Sequence, residues 1–330
     1  MADEGAGADA DAGIGRVIHG ENLEVLSTLA DGTFTMIYLD PPFNTGRSQG
    51  HATATHTRMP RAEASDEASD LASGDGPGSP AELPTAGPGA VVGFAGKSYQ
   101  RLRGELVSYD DQFEDYWAFL HPRLLEAWRL LADDGTLYLH LDYREAHYAK
   151  VLLDALFGRE CFLNELIWAY DYGAKTKRRW PSKHDTILVY VKNPANYWFD
   201  SAAVDREPYM APGLVTPEKV KRGKLPTDVW WHTIVATSGR ERTGYPTQKP
   251  EGLLRRMVQA STREGDWVLD FFAGSGTTGA VAAALGRRFV LVDEHPAAIK
   301  VMRRRFAALD GIAITSPVLG AQERAVDLPR

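Results

Sequence analysis

The apolar residues of this chain fall into short blocks of two alternating kinds. Arg16–His19 and Met36–Leu39 are brief apolar runs of strand length. Tyr116–Leu131 carries apolar residues at helical spacing and stops at Asp134-Gly135. Thr136–Leu141 reads as a strand, and Glu145–Phe157 as a helix closed by Gly158. Glu165–Ala169 and Thr186–Val191 are further strands. Towards the C-terminus the rhythm repeats: helix Glu251–Ser261, strand Trp267–Phe271, helix Thr277–Leu285, strand Arg288–Val292, helix Pro296–Leu309. Strands alternating with helices predict an α/β fold, a doubly wound and mostly parallel Rossmann-like sheet with helices on both faces.

Two stretches break the rhythm. Residues 193–245 contain Pro194, Pro208, Pro212, Pro217 and Pro226 with several aromatics, and read as an inserted recognition region. Residues 48–96 are rich in Ala, Gly, Ser, Pro and acids, with almost no large apolar residue before Val91. Such a composition cannot offset its own ordering entropy, so a disordered insertion inside a folded domain is expected. Residues 1–15 and 310–330 read as tails, the first of them disordered.

Composition narrows the class. The chain has 330 residues, of which 44% are hydrophobic, enough for one large core. Its single cysteine, Cys161, excludes disulfide frameworks and Cys-rich zinc sites. No metal is expected. The N-terminus lacks the pattern of a signal peptide, and no apolar run approaches the roughly 20 residues that span a bilayer. A cytoplasmic protein without a membrane partner is the expectation.

The net charge of −7 argues against binding a polyanion, but its distribution reverses that argument. Residues 1–15 carry −4 and residues 48–96 another −4, whereas residues 166–249 carry +6. Local basic surface matters more than the global sum. Lys175, Lys177, Arg178, Arg179 and Lys183, with Trp180 among them, form a candidate contact for phosphates; Lys219, Lys221, Arg222 and Lys224 form a second cluster.

Two motifs carry chemistry. Asp270-Phe271-Phe272-Ala273-Gly274-Ser275-Gly276 follows a strand and opens a helix. Its glycines allow a tight turn and close backbone approach, and the helix N-terminus offers unpaired N–H groups. Asp293 ends the next strand, where an acid can accept hydrogen bonds from ribose hydroxyls. The set fits a nucleoside-type ligand without saying which. The second motif is Asp40-Pro41-Pro42-Phe43-Asn44, directly after Met36–Leu39. Two prolines remove two N–H donors and leave their carbonyls beside a carboxylate and an aromatic ring. An acceptor-only cluster of this kind suits a planar group bearing an NH₂.

Together these motifs resemble the amino-methyltransferases of DNA, in the permuted order where the catalytic motif precedes the cofactor motif. Tyr245-Pro246-Thr247-Gln248-Lys249-Pro250-Glu251 matches a third element of that family. The similarity extends to Gly20–Leu26, Leu137–Asp142 and Asn164–Trp168; Glu21 departs from it, standing where many relatives carry Asp. The resemblance implies residues 16–192 as the catalytic part, 193–245 as the target-recognition region and 246–309 as the cofactor-binding part. It implies catalytic roles for Asp40, Pro41, Pro42 and Phe43. Cofactor contacts would come from Thr247, Gln248, Lys249, Pro250, Asp270, Phe272, Ala273, Gly274, Ser275, Gly276 and Asp293. The implied cofactor is S-adenosyl-L-methionine and the implied substrate an adenine flipped out of double-stranded DNA. A homodimer and a cognate restriction endonuclease are the further partners it suggests. Asp40, where cytosine-N4 enzymes often carry Ser, favours adenine over cytosine. A nicotinamide-dependent oxidoreductase would explain the glycine loop and Asp293, but not Asp40–Phe43 or Thr247–Pro250. His140, Asp142 and His184-Asp185 read first as structural hydrogen bonders, with a functional role near the presumed site as the alternative.

Overall fold

A computed structural model describes residues 13–44, 49–58, 90–92, 98–109, 115–171 and 175–316. The chain forms two compact units, Met1–Gln49 with Tyr109–Arg330, and Gly50–Ser108.

The larger unit is built on nine strands: β1 (Gly15–His19), β2 (Phe34–Leu39), β6 (Leu131–Leu141), β7 (Phe162–Ala169), β8 (His184–Val191), β9 (Val229–Trp231), β10 (Trp267–Asp270), β11 (Arg288–Asp293) and β12 (Ile312–Thr315). Their order across the sheet is β12-β1-β11-β10-β2-β6-β8-β7-β9. From β12 to β6 every pairing is parallel. β8 runs antiparallel to both β6 and β7, and β9 lies parallel to β7. The helices are α1 (Asn22–Leu26), α2 (Tyr116–Leu130), α3 (Ala146–Phe157), α4 (Pro217–Arg222), α5 (Glu251–Ser261), α6 (Thr277–Ala284) and α7 (Pro296–Arg305).

Two cores follow from the period-2 alternation of the strands. Ile37 and Leu39 of β2 face one core, which Leu26, Leu120, Leu124, Leu153 and Phe157 of α1–α3 complete. Met36 and Tyr38 face the other, closed by Leu254 and Met257 of α5, Val281 of α6, and Ile299 and Met302 of α7. Both faces of the parallel strands are thus covered, and their near-continuous apolar runs reflect it.

The strand-helix rhythm read from the sequence is therefore present. Differences lie at the edges. Residues 310–330, expected as a tail, begin with β12, which pairs with β1 at the sheet edge. Its alternating Ile312 and Ile314 pack against the second core. Residues 193–245 do not stand apart from the larger unit: they cross the sheet edge and supply β9.

The smaller unit holds three strands, β3 (Gln49–Arg58), β4 (Ala90–Val92) and β5 (Ser98–Tyr109), in the order β3-β5-β4. β4 and β5 are antiparallel. This corrects the expectation of disorder at 49–58 and 90–92. Thr53, Thr55 and Thr57 alternate along β3, and β-branched residues at period 2 favour a strand. Most of the remaining insertion, residues 59–89 and 93–96, lies outside the described residues, as does most of the 1–15 tail.

One polar contact inside the larger unit tests how it is held together. The Tyr138 hydroxyl of β6 lies 2.7 Å from Ser261 Oγ at the end of α5, and both side chains are buried. Ser261→Ala leaves the Tyr138 hydroxyl buried without this partner, at an expected cost of about 1–3 kcal/mol. Adding Tyr138→Phe should recover part of that loss. Urea unfolding of the single and double variants measures both steps.

Candidate active site

Parallel pairing brings the C-terminal ends of β1, β11, β10, β2 and β6 to one rim of the sheet. β8 starts from this rim because it is antiparallel to β6. Open α/β sheets bind ligands at such a rim. The loops gathered there include Asp40–Asn44, Asp270–Gly276, Asp293, the 170–183 segment and the 232–250 segment after β9.

The glycine loop is a tight structure. Gly274 and Gly276 have φ of 50° and 72°. A Cβ at Gly276 would lie 2.8 Å from Met302 Cγ, so α7 packs directly against the turn. Gly276 begins α6 with no side-chain cap. Asp270 is buried beneath the loop, where Oδ1 accepts from the Phe272 amide at 3.0 Å and Oδ2 from the Thr278 hydroxyl at 2.6 Å. Burial pushes its carboxyl up to about 7. Asp293 accepts from the Gly274 amide and the His295 amide, both at 2.8 Å, and so clamps the loop to the start of α7. Burial raises its carboxyl too. Ser275 and Ala273 are buried, and Phe272 packs against Phe119 with ring centroids 6.0 Å apart.

The 241–250 segment lies against this loop. Gly274 comes close to the Tyr245 ring, whose Cε1 would meet a Cβ there at 3.1 Å. Gln248 braces its own turn: Oε1 accepts from the Thr243 amide and hydroxyl, both at 2.8 Å, and Nε2 donates to the Glu241 carbonyl at 2.7 Å. Pro250 precedes α5. Thr247 has φ of 57°, and Asn44 in the other motif has φ of 52°; among the described residues they are the only non-glycine residues with positive φ. Such strain concentrates at ligand-binding and catalytic loops.

Asp40 follows β2, and its Oδ2 accepts from the Lys249 ammonium. Its Oδ1 is buried with no hydrogen-bond partner among the described residues. Pro41 is buried, and Pro42 and Phe43 are half-buried. Lys249 Nζ lies 5.0 Å from the centroid of the Phe43 ring, and the His140 ring centroid lies 5.8 Å from it. Behind this loop runs a buried polar chain. The Tyr38 hydroxyl is 2.8 Å from His140 Nδ1, His140 Nε2 is 3.3 Å from Asp185 Oδ2, and the Tyr170 hydroxyl donates to Asp185 Oδ1 at 3.0 Å. Burial drives the Tyr38 hydroxyl well above its ordinary range. Burial acts upward on Asp185, but its contacts with His140, the charge of Lys249 and the Tyr170 hydrogen bond together hold the carboxyl low.

The structure thus brings the three sequence motifs together at one rim. Lys175, Lys177, Arg178, Arg179 and Lys183 lie on the β7–β8 loop at the same rim; the first four are exposed and Lys183 is half-buried. Lys183 Nζ donates to the Asp171 carbonyl at 2.9 Å, and the Arg179 guanidinium lies 5.9 Å from the Tyr143 ring centroid. Trp180 is 93% exposed. Residues 172–174 of this loop lie outside the described residues. The expected pairing of His140 with structural partners holds, yet its link to Asp185 was not legible, because the two lie 45 positions apart. Arg123 was missed for the same reason. It donates to Glu21 Oε1 at 2.6 Å and to Asn22 Oδ1 at 2.7 Å, and so buttresses the loop after β1.

The environment of Asp270 sets a pH dependence. A carboxyl whose folded-state value is raised contributes stability that is present below its unfolded value near 4 and is lost as pH rises through about 7. An Asn at this position cannot ionise. The melting temperature of the ligand-free protein should therefore fall by a few degrees relative to Asp270→Asn between pH 4 and pH 8. Calorimetry across that range checks it; a difference independent of pH would contradict the burial argument.

Residues 34–304 match the family model described as DNA methylase. The type II methyltransferase M.HpaI of Haemophilus parainfluenzae is 33% identical over 195 residues, covering 58% of this chain and 60% of that protein. The DNA adenine methyltransferase YhdJ of Escherichia coli (strain K12) is 34% identical over 204 residues, covering 59% of this chain and 67% of that protein. The chain therefore spans less than two thirds of the first of these relatives. Among solved structures, the M1.HpyAVI–SAM complex superposes with a TM-score of 0.52 at 17% identity, covering 88% of this chain and 98% of that one. The family match extends over most of the chain and takes in all three rim motifs, and the protein belongs to the DNA methylase family.

Proposed function

We propose that this protein transfers the methyl group of S-adenosyl-L-methionine to the exocyclic amino group of adenine in double-stranded DNA. The observation that carries the reading is Asp40: one carboxylate oxygen is tied to Lys249, and the other is buried with no hydrogen-bond partner among the described residues. A buried acceptor with an empty hydrogen-bond position is costly unless a donor arrives to fill it. The amino group of a flipped base is such a donor.

The glycine loop fits a nucleoside cofactor. Gly274 and Gly276 take positive φ that shapes the tight turn, the start of α6 has no side-chain cap, and Asp293 stands at the loop with a carboxylate. Asp293 would hold ribose hydroxyls through its remaining lone pairs, with Phe272, Ala273 and Ser275 shaping the pocket and Thr247–Pro250 closing it. S-adenosyl-L-methionine supplies an electrophilic sulfonium methyl when bound. The chain's own residues do the rest. Asp40 and the Pro41 carbonyl accept the two amino hydrogens and favour a pyramidal nitrogen. Pro42 stiffens the turn, and Phe43 stacks on the base, an interaction worth roughly 1–3 kcal/mol. The contribution is positioning and electrostatic complementarity to the transition state.

The basic loop at the same rim would grip phosphates on either side of the extruded base, with residues 193–245 contributing the remaining recognition surface. An acidic net charge is no obstacle when this rim concentrates Lys175, Lys177, Arg178 and Arg179. Among the described residues no helix is long and apolar enough to cross a membrane. A second copy of the chain and a cognate restriction endonuclease belong to the same reading; sedimentation equilibrium tests the first, and cleavage of unmethylated DNA by extracts of the source cells tests the second.

Single-molecule sequencing of DNA from cells expressing the protein should show methylated adenine in one short sequence context. Modification confined to cytosine would overturn the choice of base. Asp40→Ala should abolish methyl transfer while S-adenosyl-L-methionine affinity, read by calorimetry, stays within about tenfold, because Asp40 is assigned to the target amino group. Unchanged turnover would remove Asp40 from the reaction.

Replacing Lys175, Lys177, Arg178 and Arg179 together with Gln should weaken DNA binding at low salt. The slope of log affinity against log salt should flatten by about 0.9 for each phosphate that the variant no longer neutralises. An unchanged slope in a filter-binding titration would mean that other residues neutralise the phosphates.

A further inference from the structure

Lys249 touches both the start of α6 and the catalytic loop. Its carbonyl accepts from the Thr277 hydroxyl at 3.1 Å, which ties its backbone to the first turn of α6. The same Thr277 hydroxyl lies 3.0 Å from Ser275 Oγ in the glycine loop. Its side chain reaches the other way and donates to Asp40 Oδ2. It is 9% exposed, and few routes are open to a buried ammonium other than an acceptor close at hand. The family resemblance would give Lys249 to the cofactor, yet its charged end is directed at the catalytic carboxylate.

We propose that Lys249 is the positioning residue of Asp40: it holds Oδ2 and leaves Oδ1 as the carboxylate oxygen turned to the target amino group. The inference rests on the methyl-transfer reading and adds to it a residue that acts through Asp40. Three features support it. A carboxylate free to rotate would offer two equivalent oxygens, whereas a tethered one offers a single defined oxygen, and Oδ1 is the oxygen left without a partner. The ammonium sits 5.0 Å from the Phe43 ring centroid, so it constrains the stacking platform along with the carboxylate. It also supplies the positive charge in an acidic surrounding. Asp270 from β10 feels the charge of Asp40, Asp185 from β8 feels that of Lys249, and Tyr38 feels those of Asp40, Asp270 and Asp185. Because the Lys249 backbone is tied to the start of α6, the position of Asp40 depends on an ordered glycine loop.

The test uses the full chain with Lys249→Ala, with and without added propylamine, which can enter the space left by the truncated side chain. Turnover of saturated enzyme on genomic DNA should fall by about a hundredfold, as expected for a misplaced catalytic group, and propylamine should restore part of it. The dissociation constant for S-adenosyl-L-methionine should stay within about threefold, since the charged end of Lys249 serves Asp40 and not the cofactor. A variant that instead binds the cofactor more weakly by an order of magnitude, keeps its turnover and ignores propylamine would overturn the assignment. A second measurement needs no methylation. The side-chain carboxyl carbon of Asp40, identified in a ¹³C spectrum by its loss in Asp40→Asn, should shift in Lys249→Ala and return with propylamine. A resonance that does not move would refute the pairing, while failure of the parent protein to methylate DNA would refute only the methyl-transfer reading.

Discussion

Parallel pairing of β11, β10 and β2 forces three carboxylates to the same rim. Asp270 ends β10, Asp293 ends β11, and Asp40 follows β2 by one residue. Their strands are neighbours, so mutual repulsion is built into the architecture. Each carboxylate is accommodated differently. Asp270 is buried deepest, with its carboxyl raised towards neutrality while it accepts from Phe272 and Thr278. Asp293 spends its oxygens on backbone amides at the ends of two loops. Asp40 alone takes a full positive charge as partner, from Lys249. The remaining geometry of the rim depends on keeping these three compensations distinct, because like charges brought this close are tolerated only when each is protonated, hydrogen-bonded or paired.

The loops that carry the chemistry are shaped against their own preferences. Asn44 and Thr247 occupy the left-handed region without being glycine, one in each of the two segments that meet at Lys249 and Asp40. Positions of this kind cost of order 1–3 kcal/mol and persist only when the surroundings over-determine them. The surroundings here are rigid. Gln248 makes three hydrogen bonds within its own turn, and Asn44 Nδ2 donates to Glu145 Oε1 at 3.0 Å. Behind Phe43, the chain from Tyr38 through His140 and Asp185 to Tyr170 joins β2, β6 and β8 by buried polar contacts. Satisfied networks of this sort rigidify a core, and this one lies under the catalytic platform.

Much of this was legible in the chain itself. Hydrophobic periodicity located the main strands and helices because both faces of the parallel sheet are covered, which turns each strand into an apolar run. Asp40–Phe43 and Asp270–Gly276 announced themselves because their chemistry is local: two prolines remove donors, and glycines permit a turn. Edge elements were harder. β12 and β9 have four and three residues, too short for a periodic signal, and β3 has a composition that reads as unstructured until a partner strand is supplied.

Sequence by itself determined the fold class, the order of the motifs and the residue types at the rim, since each follows from patterning over a few neighbouring positions. Tertiary structure decided which of those residues meet. Lys249 and Asp40 are 209 positions apart, Arg123 and Glu21 are 102 apart, and His140 and Asp185 are 45 apart. Nothing local in the chain encodes such pairs. They arise because strands from distant segments are neighbours in the sheet and direct their following loops to a shared rim. The strand order β11-β10-β2-β6-β8 is the physical reason that a lysine before α5 neutralises a carboxylate after β2.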